Sequence, residues 1–381
     1  MRKPAPLRTV LLLVSAIVLL DVLFFSAIAP LLPTYVADLH LSKTQAGLLS
    51  GAYALGTLLA SMPAGWLAAH RGTRLTLLLG LSLLGAASIA FGFGTSFPVL
   101  TGARFMQGVG GAASWAAGFA WLVEVAPSHK RGQVIGVVLG TGIAGAIGGP
   151  VLGAVAVVIG PAEVFSGVAV VAAALAVAVA LNATRGAPPP HADIHTALHD
   201  RRVLAGAWLT MLPALFFGAY SVLVPLRLSA LGASATVIAG VFLLAAAVEA
   251  TLSPMVGRLS DKRGRLLPVR LGLAGLLIAC LVLPRPDVVW AVSATVIFAA
   301  AVGGMLYTPA SALLSDGAEA AGLPQGLVFG LWNLVWAGGQ IGGAAGGARL
   351  ADATNDTVPY LVVAVLAVCT VLALPRPEGR G

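Results

Sequence analysis

Charge is scarce in this chain. Only 9% of its 381 residues are Asp, Glu, Lys or Arg, while 59% are hydrophobic, and the mean hydropathy is +0.97. A soluble domain needs about a quarter of its residues charged to cover its surface. A soluble fold is therefore excluded, and the chain reads as a polytopic membrane protein. Cysteine is nearly absent as well. Cys280 and Cys369 both sit inside apolar runs and have no metal-ligand spacing, so they read as small buried hydrophobes. There is no phosphate-cradling loop, no enzymatic constellation and no His/Cys cluster suited to a metal. His191, His195 and His199 recur every four residues, but in a polar, Pro-rich stretch that reads as a solvated linker.

Long apolar runs are what the sequence does contain. A hydrocarbon core of about 30 Å needs roughly 20 apolar residues per helix. That ruler gives twelve spans: 9–32, 46–68, 75–95, 98–123, 133–158 and 163–182, then 203–228, 235–256, 267–284, 288–313, 324–348 and 358–375. The basic start and the "SAIA" ending at Ala29 mimic a signal peptide, but Asp21 interrupts the apolar region, so this is expected to be a retained first helix. Residues 184–202 are polar and Pro-rich. They are expected to link a first six-helix bundle, 1–183, to a second, 203–381. Of the 22 Lys and Arg, seventeen fall on one side of this threading. Lys43, Arg227, Arg285 and Arg349 fall on the other, and Arg104 lies within a span. The positive-inside rule then places both termini in the cytoplasm. It also explains the basic composition without a nucleic-acid partner.

The chain repeats itself. "GWLAAHRGTR" from Gly65 and "GRLSDKRGRL" from Gly257 share Gly, Leu, Arg and Gly at one spacing, 192 residues apart. A second echo pairs "GAIGGPVLGA" from Gly145 with "GGQIGGAAGG" from Gly338. Close glycines let membrane helices approach, and their recurrence in both halves implies a duplicated bundle.

These residues resemble the major facilitator superfamily. The Gly257 loop, with Asp261 and Arg265, is similar to its loop motif between helices 2 and 3, and the first-half copy keeps Gly65, Gly72 and Arg74 but carries Ala69 where the acid belongs. "LTGARFMQGVGGA" is similar to the helix-4 motif around Arg104 and Gly108. Gly145, Gly149, Pro150 and Gly153 are similar to the helix-5 motif of proton-coupled exporters, with Ala154 replacing its final glycine. "DVLFFSAIAPLLPTY", beginning at Asp21, resembles helix 1 of the drug:proton antiporters and vesicular monoamine transporters. The resemblance implies an all-α membrane protein of twelve helices in two pseudo-symmetric bundles that rock about a mid-membrane cavity. It also implies an inner gate in which the loop acid faces a helix N-terminus of the other half. Asp261 is expected to make that contact with the start of helix 5, and Ala69 cannot, so the gate should be asymmetric.

Away from the span ends three ionisable residues remain, where each costs at least ~2.5–3.5 kcal/mol and marks a functional site by default. Asp21 and Arg104 both lie near mid-membrane, and Glu249 lies in the cytoplasmic half of helix 8. A carboxylate poised between burial, which disfavours its charge, and a nearby Arg, which favours it, can exchange a proton near neutral pH. Asp21 reads either so or as one partner of a fixed ion pair with Arg104. Glu249 reads as a proton or substrate site, or as an acid snorkelling to the interface. By resemblance, Arg104 positions helix 4 and modulates its acidic neighbours. Cavity candidates are Phe25, Phe216, Tyr220, Tyr307 and, on helix 11, Trp332, Asn333, Trp336 and Gln340. The same Trp stripe also suits packing or an interface belt.

The expectation is a monomeric, cofactor-free carrier in the inner cell membrane that exports a small amphipathic or cationic compound against protons. A proton-linked symporter or facilitator for a neutral solute such as a sugar is the first alternative, and a non-transporting sensor or scaffold the second. No metal and no nucleic acid is expected to take part.

Overall fold

The computed structural model describes residues 5–127, 130–182, 200–320 and 325–374. All regular structure among them is helical, as a bilayer demands. Backbone groups in hydrocarbon must be satisfied within their own segment, and only helices and closed barrels achieve that.

In the first half, α1 runs Leu7–Asp38, α2 Lys43–Arg71, α3 Thr73–Gly92, α4 Phe97–Val125, α5 Arg131–Ile159 and α6 Pro161–Asn182. The second half holds α7 Arg201–Ala230, α8 Ala235–Arg263, α9 Leu266–Val282, α10 Val289–Ala320 and α12 Thr357–Ala373. Between the last two, α11 runs Gln325–Ile341, passes through a π-helical Gly342–Gly347 and ends at Ala348–Ala353. Eight of the described helices are long and apolar enough by themselves to cross a membrane. Large apolar side chains such as Val158, Trp290 and Leu372 are about three-quarters exposed, facing where lipid would lie. The expected linker 184–202 and its three histidines lie almost wholly outside the described residues.

The duplication extends to the backbone. Ser42 caps α2 by accepting from Gln45 N, and Ser234, 192 residues on, caps α8 by accepting from Val237 N. The same two helices end at Gly72 and Gly264, whose φ values of 94° and 82° few other residues adopt. α1 breaks at Ala27, where Pro30 three residues later has no N–H to give the Ser26 carbonyl.

Glycine rows set the closest helix contacts. Gly145, Gly149 and Gly153 face α1 within their own half, where a Cβ at Gly145 or Gly149 would come 2.9 or 2.8 Å from the Leu19 or Leu23 carbonyl oxygen. In the second half Gly339 and Gly343 face the Met211 and Leu215 carbonyls of α7 in the same way. Gly343→Leu would drive a side chain into the α7 backbone, at a cost of at least ~1–3 kcal/mol. Gly346, with nothing within 4 Å of its Cβ position, is the control. Detergent-solubilised Gly343→Leu is expected to lose its monodisperse elution peak while Gly346→Leu keeps it. Equal behaviour would show that the row does not fix α11 on α7.

The two halves meet through α1, α2 and α5 on one side and α7, α8 and α11 on the other. Their polar contacts gather at the end opposite the basic loops. There Asp352 of α11 accepts from Lys43 N, Thr44 N and Thr44 Oγ1 at the start of α2, Lys43 pairs with Asp356, and Ser50 meets Ser221. Apolar contacts seal the same end, with Val222, Ala344 and Ala348 buried among Leu31, Leu32 and Leu49. At the basic end Arg265 pairs with Asp316, joining the α8–α9 turn to α10. The positions 192 residues earlier are Thr73 and Glu124, so the first half keeps the acid without the cation. The side chain of Asp261 lies outside the described residues.

Candidate functional site

Asp21 sits in α1 just before the break and is fully buried. Its Oδ2 accepts from Tyr53 Oη of α2 at 2.8 Å and from Trp115 Nε1 of α4 at 2.9 Å, while Oδ1 has no protein partner. The close approach depends on α4 glycines. A Cβ on Gly111 would stand 2.9 Å from both Asp21 Oδ1 and Tyr53 Oη, and one on Gly108 would overlap the Tyr53 carbonyl. The helix-4 motif thus brings a tyrosine on α2 and a tryptophan on α4 to one carboxylate.

Arg104 is equally buried, yet it does not form an ion pair with Asp21. Its Nη1 donates to Gln107 Oε1 at 2.6 Å and to the Phe24 carbonyl at 3.4 Å, and its Nη2 donates to the Phe25 carbonyl at 3.3 Å. The guanidinium lies 5.6 Å from the Phe25 ring centre and 5.5 Å from that of Tyr53. The break at Ala27 leaves carbonyls near the end of the first segment of α1 open to an outside donor. A cation there complements that helix terminus. Asp21 therefore has neutral hydrogen-bond donors, with the cation close by but committed elsewhere.

Glu249 occupies a different setting. It lies on α8 against Gly303 and Gly304 of α10, half-buried; its backbone carbonyl accepts from Ser253 Oγ at 2.8 Å, while its carboxylate has no hydrogen bond or ion pair among the described residues. Tyr220 and Tyr307 lie within electrostatic range of its carboxylate.

A line of rings connects the two acids. From Tyr53 it passes to Phe25 at 4.6 Å between ring centres, then crosses the halves to Trp336 at 5.7 Å. Trp336 stacks parallel to Trp332 at 6.4 Å, Trp332 meets Tyr307 at 6.3 Å, and Tyr307 stacks on Phe217 at 6.1 Å. Phe25, Phe217, Tyr307, Trp332 and Trp336 are all half-buried, as are Asn333 and its neighbours. The Trp stripe belongs to this line rather than to an interface belt. Phe216, in contrast, is fully buried among Tyr220 and Tyr360 in the second-half core, and Gln340 is buried beside Gly218. Reading the sequence did not single out Tyr53, Trp115, Gln107 or the Asp352–Lys43 contact. The available signal was a mid-span residue able to donate a hydrogen bond, at the depth of Asp21.

Twelve helices in two like halves, with ionisable groups buried inside each half, define a membrane carrier rather than an enzyme. Residues 14–344 match the profile of the Major Facilitator Superfamily, and the chain belongs to it. It is similar to the MFS-type transporter ppzB of Metarhizium majus, 31% identical over 141 residues, or 35% of this chain and 31% of that one. It is likewise similar to the quinolone resistance protein NorA of Staphylococcus aureus, 31% identical over 126 residues, or 33% of this chain and 32% of that one. The chain thus spans about a third of the length of these curated relatives. A solved bacterial homologue of the human lysosomal transporter Spinster, in an inward-facing and unoccupied conformation, superimposes with a TM-score of 0.76 over 98% of this chain and 96% of that one, at 15% identity.

Proposed function

We propose that this chain is a proton-coupled exporter of a small amphipathic or cationic organic compound, working by alternating access as a monomer without cofactors. The observation that carries the reading is Asp21, a mid-membrane carboxylate bound by two neutral donors while the adjacent Arg104 is bound to carbonyls. Oδ2 accepts both donors, so Oδ1 is the oxygen free to take a proton. A fixed ion pair would hold its charge in every state, whereas this arrangement lets the charge change. The ring line supplies a flat apolar surface for a substrate, and the partial likeness to a quinolone resistance protein agrees with such a cargo.

The Lys and Arg distribution supports cytoplasmic termini in the cell inner membrane. In that orientation the sealed end is the outer one, and the halves rock to open it. The test is ethidium efflux from proteoliposomes under an imposed pH gradient. Efflux should run against the proton gradient, stop when a protonophore collapses it, and acidify the lumen in step with substrate. Gradient-independent movement of a neutral sugar, with no ethidium flux, would replace this reading with a facilitator.

A further inference from the structure

We propose that Glu249, with Phe217, Tyr220 and Tyr307, forms a cation subsite of its own in the second half, one that takes the onium head of the substrate and leaves the proton to Asp21. The assignment rests on the export reading, and it goes further by separating the two acids by task.

Four observations carry it. The Glu249 carboxylate has no hydrogen bond or ion pair among the described residues, and the helix stretches beside it carry no cation; α5 and α9, which also pack on α8, hold only Arg131 and Arg270. Between Arg202 and Arg227 on α7, before Arg258 on α8, and along all of α10, there is no Lys or Arg. Next, what surrounds the carboxylate is aromatic. Phe217 stands 5.3 Å from Tyr220 and 6.1 Å from Tyr307 between ring centres, and a Cβ on Gly303 would lie 2.7 Å from the Phe217 ring and 3.7 Å from Glu249 Oε1. Aromatic rings beside a lone carboxylate can recognise onium cations through charge and cation–π attraction together. The Tyr307 hydroxyl is also buried without a hydrogen-bond partner, so it is available to a polar group of a ligand. Finally, the two acids are not copies of one another. Pro213 stands 192 residues after Asp21 and Thr57 stands 192 before Glu249, so each half carries a different group. Asp21 is fully buried and held by two donors, whereas the half-buried Glu249 carboxylate is held by none.

Equilibrium binding of tetraphenylphosphonium to the purified full-length protein in nanodiscs tests this, with tetraphenylborate as its anionic isostere. Saturable phosphonium binding and no borate binding are expected of the wild type. Glu249→Gln should weaken phosphonium binding by about tenfold or more, and Phe217→Leu and Tyr307→Leu by severalfold each. Glu249→Asp and Asp21→Asn should stay within about threefold of wild type. Should Glu249→Gln fail to fold, the two ring variants carry the test. Wild-type affinity in Glu249→Gln and both ring variants overturns the subsite, as does equal binding of the borate or the absence of saturable phosphonium binding. Glu249-dependent binding without proton-driven efflux would keep the subsite and remove the export reading. Proton-driven efflux with binding indifferent to Glu249 would do the reverse.

Discussion

Asp21→Asn is expected to abolish proton-driven transport while leaving the protein folded. Asn keeps the size of Asp and one carbonyl oxygen, which can still accept from Tyr53 and Trp115. What it loses is the proton site, since an amide does not titrate between pH 5 and 8. Accumulation driven by a pH gradient should fall to the passive leak, a loss of roughly tenfold or more for a dedicated intramembrane carboxylate. Substrate exchange without a gradient, which needs no proton movement, should persist. The melting midpoint should move by only a few degrees, because about 1 kcal/mol corresponds to roughly 2–4 °C in a mid-sized domain. Tyr53→Phe removes one of the two donors but leaves the carboxylate, so it should shift the pH dependence of transport without abolishing it. Wild-type gradient-driven flux in Asp21→Asn proteoliposomes would remove the proposed mechanism.

Asp352→Ala is expected to loosen the sealed end between the halves. The first turn of any helix leaves N–H groups unsatisfied, and α2 satisfies its own from two sources. Ser42 and Gln45 form a reciprocal capping box, whereas Lys43 N and Thr44 N donate to Asp352 of the other half, at 3.2 and 2.7 Å. A carboxylate at a helix N-terminus is favourable, but these groups are exposed and screened by solvent. The contact together with the Lys43–Asp356 pair is therefore worth about 2 kcal/mol. Losing both should change the ratio of closed to open molecules by roughly thirtyfold. Spin labels at His40→Cys and Asn355→Cys, in a Cys369→Ser background, would read it as a longer distance population. An unchanged distribution in Asp352→Ala combined with Lys43→Ala would show that the apolar seal alone closes this end.

The pH response of this contact separates it from the proton site. Burial opposes the Asp352 charge, but the hydrogen bonds from Thr44 and Lys43 outweigh it and hold the carboxyl below its usual value. The closed state therefore favours the ionised form. Its contribution is complete above the ordinary Asp value, about 4, and is lost only as pH falls further. Between pH 5 and 8 the contact should be insensitive to pH. Any opening seen in that window should come from within the membrane and disappear in Asp21→Asn, which the same spin-label pair can measure.

Much of the site was legible from the chain. Asp21, Arg104 and Glu249 stand out because charge in an apolar run is rare, and their depth follows from residue counting. Their partners were not legible. Asp21 and Arg104 lie at similar depths, which makes an ion pair plausible from the sequence. The break at Ala27 instead gives the guanidinium carbonyls to bind. Phe216 and Phe217 are adjacent in sequence, yet one fills the second-half core and the other joins the ring line. A helix turns about 100° per residue, and only the neighbours of α7 decide which face is which.

The sequence by itself determined the spans, the duplicated halves and the basic loops. Each of these depends on local quantities: apolar length, glycine and proline positions, and the count of Lys and Arg between helices. The tertiary structure alone decided which helix each glycine row touches, which groups hold Asp21, and that Asp352 reaches across to α2. Those outcomes depend on the rotation and approach of helices far apart in the chain. Membrane helices gain little from apolar burial against one another, so close packing and matched hydrogen bonds set that geometry.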